Sequence, residues 1–202
     1  MRIKGSGEYT DAKGRNYTVL GVGDVSDDEK LRRLSVSGNV SFDKLSCDRI
    51  SVSGRCEGDS IFAKSLEISG ALSIENISCD KIDISGKPQI ETLTADEISI
   101  ATRNGFIGNI NCKRLKIYDS NELIVEKGFE NLFVGHFSLS KSNSRIRIKS
   151  IEADKVELEN CEVDVIRCKD AFIGANCVID KLFVSGECSV MPGSKVGETV
   201  RT

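Results

Sequence analysis

The 202-residue sequence contains no tryptophan, one histidine and two prolines, and aromatic residues make up only 5% of it. A core of large interlocking rings is therefore excluded, and small aliphatic side chains must do the packing. With His136 as the sole histidine, general-base catalysis and His-rich metal sites have little to draw on. No basic block is present: 28 basic and 31 acidic residues are interspersed to a net charge of −3, so nothing is placed to neutralise a run of phosphates, and nucleic-acid binding is not expected. Nowhere do apolar residues run on for the length of a membrane span, and the opening MRIKGSGEYT lacks the apolar stretch of a secretory signal. These absences lead us to expect a soluble, cytoplasmic protein with no direct membrane binding, forming one domain over residues 1–202.

What the sequence does have is glycine, serine and β-branched residues in a fixed order, which suits many short strands separated by tight corners. The segments LSVSGNVSFDKLSCDR, ISVSGRCEGDSIFAKS, LEISGALSIENISCDK and IDISGKPQIETLTADE follow one another from Leu34 without a gap, and Ile98 opens another. Positions 1 and 3 of each unit are aliphatic, and position 5 is Gly38, Gly54, Gly70 or Gly86, with Thr102 in its place one unit later. Further apolar columns fall at Phe42, Gly58, Ile74 and Ile90, at Leu45, Ile61, Ile77 and Leu93, and at Cys47, Ala63, Cys79 and Ala95. Short alternating runs of this kind bury one face of a strand, and a fixed period of this length is the signature of a solenoid.

The fold predicted is an all-β, single-stranded parallel β-helix of about sixteen residues per turn and about a dozen turns, roughly 55 Å long at the spacing of paired strands. Its core ladder is predicted at Leu34, Ile50, Leu66, Ile82 and Ile98. Met1, Ile3 and Gly5 match positions 1, 3 and 5 of a first turn, and Tyr17, Val19 and Gly21 match a second. Downstream, Leu115, Leu132, Val156 and Ala171 restart the pattern, with an irregular loop expected near 140–145 in the Leu132 turn. No amphipathic helix at either end offers a cap, so strand edges and apolar surface are expected there. The candidate end interface comprises Met1, Ile3 and Tyr9 on one side and Val184, Val190 and Met191 on the other.

Groups that could carry chemistry read more simply as structure. Cys47 and Cys79 sit two turns apart with Ala63 between, near 9.6 Å at two strand spacings, too far for a disulfide or a shared metal. The column through Cys47, Ala63, Cys79, Ala95 and Cys112 is therefore expected to hold reduced, buried thiols, while a pairing among Cys161, Cys168, Cys177 and Cys188 stays open. His136 reads as a corner residue, and IGANCVI from Ile173 resembles a single acyltransferase hexapeptide that is not continued in tandem. The glycines form no phosphate-binding loop, because no helix pattern follows them. No catalytic residue, cofactor or metal site is predicted.

The recurring [LI]-x-[VI]-S-G units, together with VIRCKDAFIGANCVIDKLFVSGECSV from Val165 to Val190, resemble the bactofilin-like polymer-forming proteins of Gram-positive bacteria. The resemblance implies a right-handed β-helix. It also implies a cytoskeletal, nucleotide-independent scaffold that associates with itself or a homologous β-solenoid through its ends and supports cell-envelope or motility machinery. Two other readings stay open: a monomeric β-helix adaptor with capped ends and a conspicuous side patch, and a carbohydrate-active or acyl-transferring enzyme with a cleft of converging acids or His136.

Overall fold

A computed structural model of the chain describes residues 2–6, 16–26, 31–119 and 144–201. Its strands are β1 (Arg2–Ser6), β2 (Asn16–Ser26), β3 (Leu31–Ala101), β4 (Gly105–Tyr118), β5 (Ile146–Leu158), β6 (Cys161–Ile173), β7 (Val178–Val184), β8 (Cys188–Val190) and β9 (Lys195–Arg201), with no helix among the described residues. From β2 onward every strand-to-strand pairing is parallel. Pairing follows chain order as far as β7, which carries β9, while β8 pairs with β6. This is a chain wound on itself, an all-β parallel solenoid.

β3 is continuous for 71 residues although it turns corners along the way. Four glycines make this possible. Gly38, Gly54, Gly70 and Gly86 take φ of 127°, 134°, 134° and 140°, a conformation that L side chains rarely adopt. They also stack. A Cβ on Gly70 would lie 2.9 Å from the carbonyl carbon of Gly54, so each corner backbone rests directly on the preceding one. The column ends at Thr102, which is 2% exposed. Its hydroxyl donates to the Gly86 carbonyl at 2.5 Å and accepts from the Asn104 N–H at 3.2 Å. Further along, Asn160 and Asn176 turn corners with φ of 55° and 57°, the left-handed conformation that asparagine tolerates better than most residues.

Between the corners the alternation seen in the sequence becomes burial. Leu45, Ile61 and Leu93 are each fully buried, and Ile77 is 2% exposed. Gly58 leaves room for a ring: the Phe42 side chain occupies the space that a Cβ there would need. An inward column escaped the sequence reading, running through Val40, Cys56, Leu72 and Pro88, all buried. Its members are all apolar but differ in size and shape.

The expected dozen turns of sixteen residues requires correction. The step is seventeen residues at Ile98↔Leu115, Ala171↔Cys188 and Val178↔Lys195, the extra residue being taken up at corners such as Thr102–Gly105. After β3, the registers define only five coils: β4, β5, β6, β7 with β8, and β9. β5 pairs directly on β4, with Leu115 opposite Val156, which leaves no place between them for a coil opening at Leu132. Leu132, His136 and most of the irregular loop lie outside the described residues. At the other end β1 is no parallel first turn. It runs antiparallel to β2, with Arg2 opposite Ser26 and Ser6 opposite Val22.

Candidate functional site

The five core-ladder residues occupy one inward column. Leu34, Leu66 and Ile82 are fully buried, and Ile50 and Ile98 nearly so. Each precedes a corner by the same interval, so the stacked glycines fix their alignment. The column continues through Leu115, Val156, Ala171 and Cys188 in paired register. Stacking identical or similar aliphatic groups between neighbours removes them from water on both sides, at roughly 1.5–3 kcal/mol for each fully buried side chain. This column holds the coil together and presents nothing to a partner.

The residues expected at the ends fall in different settings. Val184 closes β7 inside the core at 1% exposure, opposite Arg201 of β9. Val190 and Met191 are 43% and 44% exposed. Val190 pairs with the fully buried Ile173, so its register is that of a core residue. It is exposed because β9 builds on β7 and leaves β8 with no strand stacked on it among the described residues. Phe172, 41% exposed, lies directly beneath Ser189. Three of the four large hydrophobic residues that are exposed among the described residues thus gather about β8, and the fourth, Phe62, has the Lys44 ammonium over its ring at 5.1 Å. Ile3 lies in β1 opposite Val25, whereas Met1 and Tyr9 lie outside the described residues.

The sides of the coil are charged and internally paired. Ion pairs link successive coils at Lys64 with Asp48 (3.2 Å), Lys113 with Asp96 (2.9 Å) and Arg103 with Asp119 (3.0 Å), and Arg114 with Glu97. Exposed pairs of this kind add little stability, but they keep the sides hydrated. A shallow groove of about 350 Å³ is bordered by Glu97, Arg114 and Lys155, and another of about 640 Å³ by Lys155, Asp170, Phe172 and Arg201. Acidic and basic side chains are mixed along both, Asp170 and Glu187 lining the second on adjacent coils, and the Lys155 ammonium meets Glu157 at 2.8 Å.

All eight cysteines are free. Ala95 stands opposite Cys112 in the alternating small-residue column. Burial pushes the Cys56, Cys79 and Cys112 thiols up to about 12, aided by Glu57, Asp80 and Asp154 respectively, and the Cys168 thiol up to about 11. Such thiols are poor nucleophiles at neutral pH. Cys161 and Cys177 are both fully buried and occupy matching places in adjacent coils, one residue before the pair Glu162↔Val178. Burial raises the Cys161 thiol, which donates to the Glu159 carbonyl at 3.0 Å. Among the described residues no group of three or more His, Cys, Asp or Glu side chains could hold a metal ion, and no helix is long and apolar enough to cross a membrane.

Comparison with protein-family models, with curated proteins and with solved structures gives no match to this chain.

Proposed function

We propose that the protein is a non-catalytic structural scaffold of bactofilin type, which associates with itself or with a homologous β-solenoid through solenoid ends. In this reading it works in the cytoplasm without a cofactor and supports cell-envelope or motility machinery. The observation that carries the proposal is Val190, a residue in core register above the fully buried Ile173 that is nonetheless 43% exposed, beside Met191. An added coil over β8 would complete the burial that Ile173 already enjoys, and the unpaired edge of β8 offers backbone groups to the same coil. The charged sides favour contact at the ends over lateral contact.

The test is light scattering across a concentration series, on the wild-type chain and on Val190→Lys/Met191→Lys. The wild type is expected to exceed the mass of a single chain, and the double variant to fall towards it with an unchanged far-ultraviolet circular dichroism spectrum. A wild-type chain that stays single at high concentration and binds no homologous solenoid sinks the scaffold and favours the monomeric adaptor.

A further inference from the structure

We infer that β1 is a guard strand: it occupies the rim of the first coil and holds back the docking of another β-solenoid at that end. The inference rests on the self-association reading above and adds a regulation to it. Among the described residues seven pairings between strands are parallel, as winding demands, and the β1–β2 pairing alone is antiparallel. β1 is therefore no further turn of the coil. It has folded back onto it.

The register shows what the strand covers. β3 takes one edge of β2 from Asn16 to Asp24, and β1 takes the other from Val22 to Ser26. Residues 16–21 of β2 have no partner on that second edge among the described residues. Among the described residues the rim thus carries a step one strand high, about 4.8 Å. A flat coil from a second molecule cannot seat on β1 and on residues 16–21 together. With β1 gone, the whole outer edge of β2 becomes a level, parallel template.

β1 is itself a poor template. It is five residues long, with Arg2 and Lys4 at alternate positions and Gly5 between Lys4 and Ser6. Short edge strands bearing Lys or Arg are a common means of blocking strand-to-strand association. Because β1 belongs to the same chain, it competes for the rim at an effective concentration of the order of millimolar, well above that of a partner in dilute solution. Docking at this end therefore requires β1 to leave.

Two variants open the rim by different means. One removes residues 1–15. The other, Ile3→Pro/Lys4→Pro, keeps the segment but removes its ladder: N–H groups of consecutive residues point to opposite edges, so one of the two prolines deletes a bond to β2 whichever residue supplies it. Hydrogen exchange across β3 verifies that the coil itself is intact in both. Light scattering then gives the concentration at which mass begins to rise. Both variants are expected to assemble at a concentration lower by at least about tenfold than the full chain, as loss of an intramolecular competitor requires. If the full chain assembles and the variants share its onset, the guard is refuted while self-association stands. If neither the full chain nor either variant assembles, the self-association reading falls and the guard with it.

Discussion

Replacing Gly70 by alanine tests the stacked corners where the structure is most specific about them. The φ of 134° is strained for any L residue, at a cost of about 1–3 kcal/mol. The new methyl would collide with the Gly54 carbonyl oxygen, lying 2.9 Å from its carbon and 3.2 Å from its Cα, and all three are backbone atoms that cannot rotate away. Relief comes only from separating two coils, which weakens two or so ladder hydrogen bonds at about 1 kcal/mol each. The expected loss is about 3–5 kcal/mol in total. Gly193 supplies the control: its φ is 91°, but a Cβ there would meet nothing within 4 Å. Gly193→Ala therefore bears the backbone strain without the collision, about 1–2 kcal/mol. Urea unfolding followed by circular dichroism, with hydrogen exchange on either side of the corner, compares the two. Because coils couple chiefly to their neighbours, Gly70→Ala should also loosen exchange nearest the Gly54 and Gly86 corners before it does so elsewhere. Equal costs for the two substitutions would refute the stacked-corner account.

Three further outcomes follow from the buried interior. Leu66→Asp places an unpaired carboxylate in a fully buried column and should cost more than about 4 kcal/mol, read as loss of soluble folded protein; a folded, soluble variant would contradict the ladder. Asn160→Ala gives up a left-handed corner at φ 55°, a donor to the Ser144 carbonyl (3.1 Å) and an acceptor for Asn176 (2.5 Å), and should cost about 2–4 kcal/mol, with Asn160→Gly intermediate; equal values for Ala and Gly would remove the strain from the explanation. The Cys56, Cys79 and Cys112 thiols are held near 12 when folded against 9.0 ordinarily, so the unfolded chain releases their protons first. Stability is then full below pH 9 and falls as pH rises from 9 towards 12, and the triple alanine variant should decline less steeply in urea titrations over that range.

The solenoid was legible from its spacing because glycine, aliphatic and small residues recur at fixed places from Leu34 to Glu97, and each has one physical role. The column through Val40, Cys56, Leu72 and Pro88 was harder to read, since burial there tolerates four dissimilar side chains. Strand sense left no mark on periodicity. Met1, Ile3 and Gly5 match positions 1, 3 and 5 of a first turn, yet an alternating pattern is the same read in either direction, and the pairing of β1 is antiparallel. The number of coils failed for a related reason: Leu132 with Val134 fits the pattern, but only the direct pairing of β4 with β5 reveals that no coil lies between them. Val184 and Val190 are equally apolar in sequence, and what separates buried from exposed is that β9 stacks on β7 and not on β8.

Association through the ends is most directly tested by negative-stain electron microscopy of the wild-type chain beside Val190→Lys/Met191→Lys. The account predicts wild-type rods joined end to end, longer than a single coil and no wider, and single short rods in the variant. Wild-type particles joined along their sides, or rods whose length is the same in both proteins, would contradict it.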